Sequence, residues 1–517
     1  MAHNTSSWAQ TVPTPDTLTV HETAETVLIP QAFAIHGPGV CPEAAASLVS
    51  TFLPLPCSVA AAPEAADITI SVSGNPCSDA ALREFRTDDE TWSLDCGKTE
   101  SRAHIRIHAT GFRGAMRAIA YLTQVLALER AHERAGPVRL RPATASGRPR
   151  YAWRGVMLDC ARHFFRPGFV KRHIDLAALH GMSVFHWHLT DDQGWRVPSE
   201  AYPQLNERGA WRDDGTTHFG TYGGFYSRSE ILDVVDHAAR RGMIVVPEID
   251  IPGHTRAAIH AMPELSCRAE ALPVPTRWGI FEDVLCAGSA VVHEFVRTVF
   301  NELCDLFRGP YIHVGGDECP TVRWQECAAC QSQLRALGAD DAGHLHGHIM
   351  DTAVRAIRAN GRRAIGWDEI LDGGLTEPVT VMCWRDISYR ERAIAAGHEV
   401  VVCPTKHACY FDHKHADSED EPGWLGVCTV ADTCRFEPGT QGAVLGAQGN
   451  LWTERIRYGK QAEYMAYPRT AALASNLWHT ASGQSKRDSP ERLEHVRSHA
   501  QLLRQLGVNA YDGPTGR

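Results

Sequence analysis

Between residues 148 and 480 the chain alternates two kinds of stretch. Short, continuous apolar runs recur, most of them followed by polar or glycine-rich residues and then by apolar residues at helical spacing. Eight such runs stand out: "RGVMLD" (154–159), "SVFHWHL" (183–189), "MIVVPEI" (243–249), "YIHVGG" (311–316), "RAIGW" (363–367), "VTVMCW" (379–384), "EVVVCP" (399–404) and "AVLGAQG" (443–449). Helical candidates between them include "RSEILDVVDHAARRG" and "SAVVHEFVRTVFNELCDLF". A strand apolar along its whole length is buried on both faces, as in a parallel sheet covered by helices. Eight such units predict a closed (β/α)8 TIM barrel, with a doubly wound open sheet as the alternative.

Upstream, the pattern changes. "ADITISV" (Ala66–Val72) and "AHIRIHA" (Ala103–Ala109) alternate like half-buried strands, and "AMRAIAYLTQVLALERA" has helical spacing. Residues 26–147 are therefore expected to form a small α/β domain, a sheet with a packed helix. The segment "GPVRLRPATASGRPRYAWRG" gathers Gly, Pro and Ser and sets a boundary near residue 148. Residues 1–25, polar and turn-rich, are expected as a flexible N-terminal arm. Residues 481–517 are expected as a helical segment packing on the barrel.

A TIM barrel carries its chemistry at the C-terminal ends of its strands. There the sequence places Arg162 after the first run, Asp191, Asp192 and Trp195 after the second, and Glu248, Asp250 and His254 at the third. Asp317 and Glu318 follow the fourth, Trp367 and Trp384 end the fifth and sixth, and Trp452 and Glu454 follow the eighth. Acids, an arginine and tryptophans converge on one face.

Composition narrows the partner. The 517 residues are 44% hydrophobic and 22% charged, the balance of an ordinary globular protein. A net charge of -10 argues against a nucleic-acid partner, and no apolar run approaches the roughly 20 residues of a membrane span. The 16 cysteines lie mostly in apolar runs and read as reduced, buried thiols. With no secretory signal visible in the first 20 residues, a cytoplasmic location is expected.

Indole faces beside carboxylates suit a sugar ring, whose C–H groups pack on the aromatics while the acids and arginine take the hydroxyls. Glycoside hydrolysis needs a general acid near the leaving oxygen, and Glu318 is the candidate. The adjacent Asp317 cannot easily flank the same bond from its other side. A sugar bearing a 2-acetamido group supplies its own nucleophile, the acetamido carbonyl oxygen. Asp317 would then hold the acetamido N–H while Glu318 protonates the leaving group.

Together, "ARHF", "HWHLTDDQGWR", "PEIDIPGH", "HVGGDE" and "LWTE" resemble the β-N-acetylhexosaminidases of glycoside hydrolase family 20. The resemblance covers roughly residues 149–480 and extends weakly to the preceding domain. It implies exo-acting, retaining, substrate-assisted removal of terminal β-linked N-acetylglucosamine or N-acetylgalactosamine, without a cofactor. It also implies roles: Glu318 as acid/base, Asp317 on the acetamido group, and Arg162 with Glu454 on the ring hydroxyls. Trp367, Trp384 and Trp452 would wall the pocket, and Asp191 and His254 would sit beside the acid/base. Tyr410 would bond the acetamido carbonyl and Asp412 a hydroxyl.

Plainer or competing readings stand beside these. Arg162 could serve only in a salt bridge to Asp159 or another barrel acid. His186 and His188, in "HWH", have the spacing of a barrel metal site, which makes a metal-dependent hydrolase an alternative. Cys327 and Cys330, in "CAAC", have zinc-ligand spacing but no second Cys or His pair nearby in sequence, so no metal is expected. A disaccharide-releasing, lacto-N-biosidase-like enzyme and a non-catalytic sugar-binding barrel are further alternatives. The natural substrate, an amino-sugar oligosaccharide or glycoconjugate, and the oligomeric state stay open.

Overall fold

A computed structural model describes residues 6–22, 24–38, 41–74, 87–99, 102–132, 136–213, 220–406, 408–439, 442–479 and 489–513. The eight apolar runs become eight parallel strands: β1 (Trp153–Asp159), β2 (Val184–His188), β3 (Ile244–Ile251), β4 (Tyr311–Gly315), β5 (Arg363–Trp367), β6 (Thr380–Cys383), β7 (Val400–Val402) and β8 (Val444–Leu451). They close into a barrel in chain order, with β8 returning to pair with β1. In β1–β4, β6 and β7 every residue is buried, which is why these runs show no alternation. The open-sheet alternative is excluded by this closure.

One irregularity serves the site. Glu248 pairs with His313 and Ile251 with Gly315, so β3 carries one residue more than β4 over the same span. This bulge bends the end of β3, where Asp250 meets the turn leaving β4. The outer helices follow their sequence signals. In Arg228–Arg240, for instance, Ser227 Oγ accepts from Glu230 N (3.2 Å) and Glu230 Oε2 accepts from Ser227 N (2.8 Å), a complete capping box.

The upstream domain is a seven-stranded mixed sheet. Its order is Thr17–Val20, Ala143–Gly147, Trp92–Thr99, Arg102–Ala109, Ile68–Val72, Phe33–His36 and Cys57–Val59. Helices Pro42–Phe52 and Phe112–His132 pack on it. The N-terminal stretch differs from expectation: residues 6–20 are laid onto this domain. Trp8 is fully buried, with its Nε1 donating to Arg141 O (3.0 Å), and Thr17–Val20 forms the edge strand. A large indole with a satisfied N–H, helped by the buried Val12, anchors a segment otherwise rich in polar residues and proline.

Glu90 joins the two domains. It is buried between Arg117 (Nε, 2.7 Å) on the long helix and Arg154 (Nη2, 2.5 Å) on β1. Burial alone would raise the Glu90 carboxyl, but the two guanidiniums hold it below its usual range. Helix Pro490–Gln505, capped by Ser489, packs against the Phe112–His132 helix and the short helix Val430–Arg435. No helix among the described residues is long and apolar enough to cross a membrane.

Candidate active site

The turn after β4 explains the acid pair. Gly315 and Gly316 have φ of 70° and 105°. A Cβ on Gly315 would fall 1.7 Å from Asp250 Oδ1, and one on Gly316 2.6 Å from the Ile370 side chain. Only glycine fits this close passage. The Gly316 N–H donates to Asp250 Oδ1 at 3.2 Å, which fixes the exit path of the chain. Glu318 then adopts φ 45°, a left-handed conformation unfavourable for a residue with a Cβ. The two neighbouring acids consequently meet different surroundings. Asp317 is buried, whereas the Glu318 side chain is 36% exposed.

His254, on the loop after β3, faces both acids. Its Nε2 lies 3.5 Å from Glu318 Oε2 and 3.9 Å from Asp317 Oδ2. Its Nδ1 is 3.2 Å from both Asp191 Oδ1 and Asp192 Oδ2. Burial opposes a charge on this ring, but the surrounding carboxylates outweigh it and raise its pKa well above that of a free histidine. Asp191 also accepts from Arg162 Nη2 at 2.8 Å and lies 3.0 Å from His188 Nε2. Despite burial, Arg162 and His254 hold Asp191 well below the usual carboxylate range. Asp317 goes the other way. Burial pushes it up to about 6, against the pull of His254 and with the help of Glu318 and Glu248.

The far wall is aromatic. Arg162 lies 5.0 Å over the Trp452 ring, and it also pairs with Asp159 at 3.3 Å. Trp384 stacks on Tyr410, with ring centroids 6.1 Å apart. Of the three tryptophans expected to wall the pocket, Trp384 is the most open, and Trp452 is 9% exposed. Trp367, expected as a pocket wall, is fully covered; its ring lies 5.8 Å from Trp452 and its Nε1 donates to Glu248 Oε1 at 2.8 Å.

The carboxylate oxygens at this end that are buried without a hydrogen-bond partner include Asp317 Oδ1, Asp412 Oδ1 and Glu454 Oε2. Burial and mutual repulsion raise the Asp412 carboxyl well above its usual range. Burial also raises Glu454, against the pull of Arg162. Buried acceptors left open in this way fit the N–H and O–H donors of a ligand. The residues singled out from the sequence thus gather at one end of the barrel, with Trp367 covered beneath the others.

Glu369, directly after β5 in "GWDE", is the residue missed. It accepts from Trp384 Nε1 at 2.8 Å, and burial, with Asp317 and Asp368 nearby, pushes its pKa up to about 9. The same strand-end rule that picked out Trp367 could have found it.

The "HWH" histidines share one buried carboxylate, Glu248. Glu248 Oε2 lies 3.0 Å from His186 Nε2 and 2.5 Å from His188 Nδ1, and Glu248 Oε1 lies 3.0 Å from His313 Nδ1. Both ring nitrogens of His188 therefore face carboxylates, Glu248 and Asp191. Burial opposes its protonation, but these acids raise its pKa well above the usual histidine value.

Comparisons with known proteins agree with this geometry. Residues 151–481 match the family model described as glycosyl hydrolase family 20, catalytic domain. The chain is 36% identical to a β-hexosaminidase of Porphyromonas gingivalis over 394 residues, 74% of this chain but 50% of that protein. It is 34% identical to a β-hexosaminidase of Vibrio furnissii over 417 residues, 77% of this chain and 67% of that protein. The chain thus spans about half to two thirds of the length of these relatives. The solved structure of a Vibrio harveyi exo-β-N-acetylglucosaminidase in complex with N-acetylglucosamine superposes with a TM-score of 0.84 at 28% identity, covering 98% of this chain and 78% of that one. With well over half of its length matched by the family model, the chain belongs to glycosyl hydrolase family 20.

Proposed function

We propose that the protein is an exo-β-N-acetylhexosaminidase, removing terminal non-reducing β-linked N-acetylglucosamine or N-acetylgalactosamine with retention of configuration. The observation that carries this reading is Asp317 Oδ1, a buried acceptor without a partner, one residue from a part-exposed Glu318. In the first step Glu318 gives its proton to the glycosidic oxygen as the bond to C1 breaks. The 2-acetamido carbonyl oxygen bonds to C1 from the opposite face, forming an oxazolinium ring. Asp317 as carboxylate accepts the acetamido N–H and offsets the positive charge that develops there. In the second step Glu318 takes a proton from water, which attacks C1 and reopens the ring. Two inversions at C1 give net retention.

The remaining groups suit binding. Arg162, Asp412 and Glu454 offer a donor and two open acceptors to ring hydroxyls, and Trp384 and Trp452 offer indole faces. Tyr410, packed on Trp384, would donate its hydroxyl to the acetamido oxygen. The test compares aryl 2-acetamido-2-deoxy-β-glucoside with aryl β-glucoside. Cleavage of the first alone supports the reading. Equal cleavage of both would require a protein carboxylate as nucleophile and defeat it.

A further inference from the structure

Four cysteines outside the site meet at one point. Cys267, Cys286, Cys327 and Cys330 come from three separate stretches of chain, yet their sulfurs all lie within 4.8 Å of one another. Cys286 Sγ is 3.6 Å from Cys330 Sγ and 3.8 Å from Cys327 Sγ, and Cys267 Sγ is 3.8 Å from Cys330 Sγ. All four are free thiols. Sulfurs bound tetrahedrally at a zinc–sulfur length of ~2.3 Å stand ~3.8 Å apart, so the cage already has the right size.

The backbone around the cage is arranged for close approach. A Cβ on Gly288 would fall 2.3 Å from Ala329 C and 2.4 Å from Cys330 N, and the Gly288 amide lies close enough to the sulfurs of Cys286 and Cys330 to favour their thiolates. Amide donors to thiolates are the usual outer support of a metal site. Trp324, fully buried, donates from Nε1 to Leu285 O at 2.9 Å, and Cys286 N donates to Leu265 O at 2.8 Å. These bonds bring the three stretches together. The "CAAC" motif thus has the second pair that its sequence neighbourhood lacks.

We propose that Cys267, Cys286, Cys327 and Cys330 bind one Zn2+ as four thiolates. Sulfur donors select a soft or borderline ion over magnesium or calcium, and four protein ligands leave no open position for catalysis. The site is structural. It fastens the segment following His254 to the segment following Glu318, and so fixes the two loops that carry the catalytic pair and the histidine facing it.

The test is metal analysis of the full chain purified under reducing conditions without chelator. About one zinc per chain is expected in the wild type and in the control Cys41→Ser, with less than a tenth of that in Cys327→Ser/Cys330→Ser. If the double variant does not fold, the wild type still decides. Titration with a mercurial should release one zinc per four thiols blocked, and chelation should lower Tm reversibly, with zinc restoring it. A chain without metal that takes up neither Zn2+ nor Co2+ would overturn the proposal. So would a mass 4 Da low, marking two disulfides, or one equivalent of iron in place of zinc.

Discussion

His254 Nε2 stands 3.5 Å from Glu318 Oε2, and it is held there from the other side of the ring by Asp191 and Asp192. The histidine is a positioning residue that also sets a field, since its charge pulls the Asp317 pKa down. His254→Asn removes that charge. The acid limb of kcat/KM, expected near pH 6 from Asp317, should move up by about one unit. A pH–rate profile of the variant decides, and a limb that stays in place would refute the coupling.

Glu318→Gln keeps the shape of the site and removes the proton. Loss of a general acid costs roughly 10²–10⁴ in rate, so kcat on an unactivated disaccharide should fall by that factor with KM nearly unchanged. Initial rates across substrate concentration measure both.

Asp317 should set activity against stability. A buried acid whose folded pKa is about 6, above its unfolded value of 3.8, binds more protons folded than unfolded between those values. Stability is therefore lost as pH rises from about 4 to 6 and stays lower above that. Asp317→Asn, which has no charge to desolvate, should lower kcat by about 10² or more yet unfold at a higher Tm at pH 8. The gain, at most ~3 kcal/mol, should vanish near pH 4. Calorimetry at the two pH values tests the sign.

Glu369 carries its proton at neutral pH, since its pKa lies near 9. The neutral isostere Glu369→Gln should thus keep activity within about twofold at pH 7, while Glu369→Ala, which leaves the Trp384 N–H unpaired, should cost ~10-fold. Equal losses in both variants would mean that the ionised form is the working one.

The barrel was legible because its strands are buried on both faces, which writes each as an unbroken apolar run. The small domain was legible as a sheet with a packed helix, through Ile68–Val72, Arg102–Ala109 and Phe112–His132, but its strands Thr17–Val20 and Cys57–Val59 were not, because they are short and lie at the exposed sheet edges. Most of the candidate site could be read from strand ends alone. Trp367 shows the limit: sequence position put it at the mouth, but its N–H is committed to Glu248 and its ring is covered. The cysteine cage lay beyond reach for another reason. Cys267 and Cys286 are 63 and 44 residues from Cys330, and only the folding of two barrel loops brings them together.

Glu90 has a consequence for dividing the molecule. The glycine- and proline-rich stretch near residue 148 looks like a natural place to cut, and the recognisable catalytic unit starts just after it. Yet a barrel released there would carry Arg154 in its base stripped of its carboxylate, a buried cation whose isolation costs about 3–5 kcal/mol. The upstream domain is thus no detachable accessory. It supplies the counter-ion that the barrel's first strand requires, so the two portions are portable only as one piece.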